Sequence, residues 1–177
     1  MPEIWTNPKT WVADELVTAS AMNEQIRDNL LWLKAPPSRQ YTALGDGDWI
    51  SSSTNWVDVD STYLAFYMSS TGGDLLVHFH GTLALSATDN IVYFDLLMDG
   101  EMVAGDQGII AIQNPDSAMA QRIVTVSFTR RIRNVSPMAH LVRLQWRVNN
   151  GSVRMYAGTT SGRQLRPQLW MMEIGKS

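Results

Sequence analysis

The chain has 177 residues, of which 45% are apolar and 18% charged, and its formal charge is −3 at pH 7. That leaves room for one domain of ordinary size plus an appendage, without the basic excess that nucleic acid as a main partner would demand. The absence of cysteine excludes disulfides, thiolate metal sites and thiol nucleophiles. Few charges together with seven tryptophans imply that much surface is covered by partners. The opening MPEIWTNPKTW lacks the basic region and apolar core of a secretory signal. No apolar run reaches the roughly 18 residues of a membrane span. The expectation is a soluble protein made in a cytoplasm, with no cofactor and no membrane span.

Residues 1–17 read as an extended arm, with Pro2, Pro8 and no helical period. Trp5 and Trp11 are its candidate docking anchors, because tryptophan covers a large area at low entropic cost. The alternative is an arm folded back on its own chain. Residues 18–34 read as a helix. Thr18 suits the N-cap, where its hydroxyl accepts from an otherwise unpaired N–H of the first turn. Lys34 complements the dipole at the other end.

Inside that helix Met22, Ile26, Asn29 and Leu33 follow the 4-3-4 spacing of a coiled-coil seam. A polar residue such as Asn29 in a seam costs stability but can fix register and strand number. Leu30, Leu31 and Trp32 widen the apolar surface at the far end. About two heptads are marginal in water, so this helix would join copies only where a neighbouring domain holds them together. The other reading is an amphipathic helix packed on its own chain.

Pro36-Pro37 stops the helix and opens a linker over 35–46. From residue 47 to 177 the pattern changes to period-two segments between turn residues, the signature of strands. They fall at 56–59, 63–68, 75–85, 91–98, 101–104, 109–112, 122–132, 140–148, 153–157 and 168–174. In the segment 75–85 the odd positions Leu75, Val77, Phe79, Leu83 and Leu85 form a core face. The even positions His78, His80, Thr82 and Ala84 form a mildly polar face better suited to an interface than to open water. Val124, Val126 and Phe128 point inward from the next long segment. Val142, Leu144, Trp146 and Val148 do so from the one after, opposite Arg143, Gln145 and Arg147. Asp99-Gly100 and Asn150-Gly151 suit two-residue hairpins. The second would set Val148 across from Val153, Trp146 across from Met155, and Arg147 against Arg154. Gly72-Gly73 suits a third hairpin. So many short strands with no helix between them argue for an antiparallel β-sandwich or barrel.

The phrase WVADELVTASAMNEQIRDNLLWLK at 11–34 resembles the N-terminal phrase of tailed-bacteriophage virion proteins of the tail-fibre class. The segment HLVRLQWR at 140–147, the following SVRMY at 152–156, and the closing RQL at 163–165 with LWMMEI at 169–174 resemble a fibre-head domain. Such heads have a jelly roll like that of the C1q and tumour-necrosis-factor family. The resemblance covers most of the chain. It implies a homotrimeric structural protein of the phage particle that docks through its arm on other virion proteins and projects its head. It also implies that the C-terminal strand lies near the threefold axis. The alternative it leaves open is a receptor-binding module for a host cell-surface glycan or protein, reached through loops such as 105–118 and 159–166.

Catalytic motifs are absent: no glycine-rich phosphate loop, Gly-x-Ser-x-Gly elbow or His-Glu-x-x-His occurs, and no enzyme activity is expected. His78 and His80 share one strand face and are a metal candidate, against the plainer reading of two polar residues on an outer face. Glycan hydrolysis needs two facing carboxylates, but Asp58, Asp60, Asp95, Asp99, Glu101 and Asp106 mostly sit beside turns, where aspartate serves the backbone. Asp46-Gly47-Asp48 lacks the further ligands of a calcium loop. Arg130, Arg131 and Arg133 read either as a solvated strand edge that discourages pairing or as a contact to an acidic partner or glycan.

Overall fold

The computed structural model describes residues 6–42, 47–114, 122–158 and 165–175. Its first element is helical from Ala19 to Lys34 in three segments: α1 (Ala19–Met22), a π-turn (Asn23–Asp28) and α2 (Asn29–Lys34). The Thr18 hydroxyl accepts the Ala21 N–H at 3.1 Å, as its cap role requires. Ala35 closes the last turn on the Leu31 carbonyl at 3.1 Å, and the prolines follow.

Among the described residues twelve strands follow: β1 (Ser38–Thr42), β2 (Trp49–Ser51), β3 (Val57–Asp58), β4 (Ala65–Ser69), β5 (Asp74–Leu85), β6 (Ile91–Met98), β7 (Glu101–Met102), β8 (Ile110–Gln113), β9 (Arg122–Ile132), β10 (Ala139–Val148), β11 (Val153–Met155) and β12 (Gln168–Ile174). They form two six-stranded antiparallel sheets. In the first sheet β5 carries β9 along its whole length on one side. On its other side lie β12, with β1 outside it, and β11, with β2 outside it. In the second sheet β10 lies between β6 and the pair β3 and β4, and β7 and β8 flank β6. Of the sandwich and barrel that the strand pattern leaves open, this is the antiparallel sandwich, with the jelly roll that the resemblance implies.

The core fills by alternation. Phe79 and Phe128 from the first sheet meet Phe94 and Trp146 from the second. Ring centroids lie 5.7 Å apart for Phe79–Phe128, 5.8 Å for Phe79–Phe94 and 6.2 Å for Phe94–Trp146. Leu75, Val77, Leu83, Leu85, Val142, Leu144 and Val148 are fully buried around them. Each inward position assigned from the period-two pattern on β5, β9 and β10 faces this core.

Asp99 and Gly100 both have positive φ, 52° and 94°, and close the β6–β7 hairpin with Met98 opposite Glu101. The other two expected hairpins do not form. At Asn150-Gly151 only the glycine has positive φ (61°) among the described residues. The chain there crosses from one sheet to the other, so Val148 pairs with Val92, and Val153 pairs with Leu85 and Ser51. The loop is held by the turn after β5, with Ser152 N–H to Ser86 Oγ at 2.8 Å and Asn90 Nδ2 to the Ser152 carbonyl at 2.8 Å. The like-charge pair never arises. Arg147 lies over Tyr93 and Trp56, 4.2 and 5.2 Å from the ring centroids, and Arg154 faces Asp48 at 3.8 Å.

Gly72-Gly73 is likewise a crossover between β4 and β5 in opposite sheets. Here the buried Glu173 carboxylate of β12 accepts Thr71 N–H, Thr71 Oγ–H and Gly73 N–H at 2.8, 2.6 and 2.8 Å. A Cβ on Gly73 would lie 2.5 Å from the Ile174 carbonyl oxygen, so the approach needs glycine. Two strands also lie where none was expected. β1 sits inside the stretch read as linker, and β2 precedes the first candidate strand. Both are short outer strands held by backbone pairing, which leaves little side-chain periodicity to read.

Candidate functional site

The arm meets the helix at the π-turn. Asn29, which is 6% exposed, reads one residue of the arm with both ends of its amide. Its Oδ1 accepts the Thr6 N–H at 3.0 Å, and its Nδ2 donates to the Thr6 carbonyl at 3.0 Å and to the Gln25 carbonyl at 3.2 Å. The Thr6 hydroxyl lies 3.1 Å from both the Glu24 carbonyl and Asn29 Oδ1, and its single proton serves one at a time. A π-turn widens the helix and turns such carbonyls toward outside donors. One turn earlier Gln25 Oε1 accepts the Lys9 N–H at 2.6 Å. Gln25 and Asn29 are four apart and so share a helix face; together they form a ledge of two amides that binds the arm through its backbone. Thr6, Gln25 and this ledge were not singled out from the sequence, although the spacing of the two amides was available there.

Trp11 is 39% exposed. Its ring lies under the Lys9 ammonium, 4.9 Å from the centroid, and Lys9 pairs with Glu15. Trp5 lies outside the described residues. The remaining seam positions stay open: Met22, Ile26 and Leu33 are 43%, 45% and 59% exposed. Leu30 and Leu31 are exposed as well, whereas Trp32 is buried beside the Thr71–Gly73 crossover and Glu173. The helix therefore touches the head through its C-terminal tryptophan and leaves an apolar stripe uncovered.

On the outer face of the first sheet His78 stacks on Trp170 with centroids 5.2 Å apart, and its Nδ1 lies 2.9 Å from Thr129 Oγ1. His80 is its neighbour at 5.9 Å. Partial burial, and then the His80 charge, hold the His78 pKa below the ordinary imidazole value. Among the described residues no three His, Asp or Glu gather as metal ligands would.

The carboxylates serve the fold. Asp58 accepts from Gln145 at 2.8 Å and from Arg143 at 3.2 Å. Asp60 accepts the Thr62 and Tyr63 N–H groups. Burial pushes the Asp95 pKa up, against the pull of the Leu96 and Ala104 N–H groups and of Arg130. Asp48 receives the Ala157 N–H at 3.3 Å; Asp46 lies outside the described residues, as do 115–118 and 159–164 of the two loops considered for host contact. His140 is buried between Asp99 (Nδ1 to Oδ2, 2.6 Å) and the Ser136 carbonyl (Nε2 to O, 2.9 Å). Burial alone would lower the His140 pKa, but these two acceptors outweigh it and raise it. Burial would raise that of Asp99, but the bonds from His140 and the Leu141 N–H lower it. Ser136 Oγ lies 3.5 Å from the same imidazole nitrogen. That nitrogen is committed to the carbonyl, so the trio is a clamp between two loops rather than an activated serine.

No protein-family model matches the chain, and no curated protein matches it. Among solved structures it is similar to Eiger TNF from S. frugiperda, with TM-score 0.45 and 13% identity over 80% of this chain and 95% of that one. It is also similar to the subunit of infectious bursal virus derived T=1 particles (TM-score 0.44, 9% identity, 81% of this chain and 37% of that one). A third likeness is to a pentameric capsid protein isolated from metagenomic phage sequences (TM-score 0.25, 17% identity, 73% and 62%). At these identities the strand order, not the likeness, carries the fold assignment. No described helix is long and apolar enough to cross a membrane.

Proposed function

We propose that this chain is a structural subunit of a tailed-phage particle, a tail fibre, head fibre or similar exposed appendage, that works by assembly and display and makes or breaks no bond. The arm, through Trp5 and Trp11, docks on other virion proteins. The helix joins three copies through Met22, Ile26, Asn29 and Leu33, and the β-head projects. The observation that carries this reading is the uncovered apolar stripe on a helix outside an already closed sandwich. A head with a complete core gains nothing from such a helix unless other copies cover it.

Asn29 has both amide atoms engaged by the arm. Asn29 then serves the seam by holding the arm against the helix, and Met22, Ile26 and Leu33 make the contacts between copies. Light scattering on the purified chain tests this: a mass near three times 19.8 kDa over a range of concentrations supports it, and a monomer throughout sinks it. Removing residues 1–17 is expected to abolish incorporation into particles while leaving a folded head. A second reading, recognition of the host surface by the head, draws on the arginine-rich end of β9.

A further inference from the structure

β9 is an edge strand, paired only with β5 among the described residues. Its end carries Arg130, Arg131 and Ile132, and Arg133 follows directly. Between this end and Val103, just after β7 of the other sheet, lies an open cleft of about 570 Å³, lined by Val103, Thr129, Arg130, Arg131, Ile132 and Arg133. That volume is in the range of about 300–1,000 Å³ common for small-molecule sites. None of the six lining residues is acidic.

One wall is fixed. Arg131 Nε and Nη2 reach Asp74 Oδ2 at 2.7 and 2.5 Å. Asp74 is fully buried, and its Oδ1 accepts the Asn134 N–H at 2.8 Å. Arg131 still keeps 37% of its side chain exposed. Arg130 and Arg133 are exposed, and among the described residues neither makes an ion pair. The field of Arg130 reaches buried Asp95, whose Oδ1 receives the Leu96 N–H and whose two oxygens share that of Ala104.

Protection of a strand edge does not explain this placement. Charges that keep an edge from pairing are effective along it, yet residues 123–129 of β9 carry none. Arg122 stands alone at its start, and three guanidinium groups gather at its other end, beside a cleft.

We infer that this cleft binds an anionic saccharide, a sugar residue bearing a carboxylate or a phosphate. Guanidinium forks match the paired oxygens of such groups. Val103 and Ile132, partly buried against the core, give the ring an apolar floor. A nucleic acid is the poorer fit, since it asks for a basic stripe on a basic protein, and this chain carries −3 with only three of its arginines at the cleft. The inference deepens the host-recognition reading and rests on it only for its biological setting.

The test uses the full chain and four probes: a glucuronate-containing tetrasaccharide, a polyglycerol phosphate fragment, an uncharged dextran fragment, and an oligonucleotide of matched charge. Calorimetry is expected to show binding of at least one charged saccharide, weaker binding of the oligonucleotide and none of dextran. Which charged saccharide binds tells carboxylate from phosphate. The double variant Arg130→Ser/Arg133→Ser should weaken binding about tenfold or more, with mass and unfolding midpoint unchanged. Arg131 is left in place because its loss would strand buried Asp74. Failure of both charged saccharides, equal or tighter oligonucleotide binding, or an unaffected double variant each overturns the inference. If saccharide binding is lost in the double variant yet particles carrying it still attach to cells, host recognition through this site falls while the site itself stands.

Discussion

The head and the helix solve burial in opposite ways. In the head, four aromatic rings from both sheets interlock and the surrounding aliphatic side chains are shut off from water. In the helix, Met22, Ile26, Leu30 and Leu33 stay largely in water, and the most enclosed of the four seam positions is the polar one, Asn29. The head folds against itself; the helix leaves its apolar stripe exposed. The difference separates stability from assembly, so substitutions in one region should leave the other's readout unmoved.

The largest expected effect lies in the head. Trp146→Ala removes a ring packed at a tilt against Phe94 in the middle of the core and should cost about 3–5 kcal/mol, read as a lower urea midpoint. Unchanged stability would mean that the interlocked rings are not the core's centre. Next is Glu173→Ala, which strands the Thr71 and Gly73 N–H groups at the crossover. It should cost about 2–3 kcal/mol by the same measurement.

In the helix, Ile26→Asp puts charge into the exposed stripe. It is expected to lower the solution mass toward that of one chain while the head's urea midpoint holds; a mass unchanged from the parent's would break the comparison. Asn29→Ala removes the bonds to Thr6 and should cost about 1 kcal/mol locally. The arm then becomes more sensitive to protease, again without loss in the head.

The smallest effect is one of pH. The raised His140 pKa contributes stability that is complete below the imidazole's unfolded value of about 6.5 and is lost as pH rises through the higher folded value. The lowered Asp99 pKa contributes stability that is present above the ordinary carboxylate value and is lost as pH falls through the lower folded one. The melting temperature should therefore decline as pH rises above about 6.5, and His140→Gln should flatten that decline. A decline of the same slope in the variant would remove the clamp from the account.

What the sequence by itself determined is local. Alternation in β5, β9 and β10 set which side chains face the core, because strand side chains point to opposite faces by turns. Asp99-Gly100 set a hairpin, Thr18 a helix start, and the count of short strands an all-β sandwich. The arginine cluster was legible as a cluster, but the cleft beside it and the burial of Asp74 were not, since both come from strands distant in sequence. Only the tertiary structure decided which sheet each strand joins. A glycine turn such as Asn150-Gly151 or Gly72-Gly73 reverses the chain equally well within one sheet or between two, and the choice falls to partners such as Ser86, Asn90 and Glu173. The same holds for the arm: a backbone read by Asn29 and Gln25 leaves almost no mark in its own side chains.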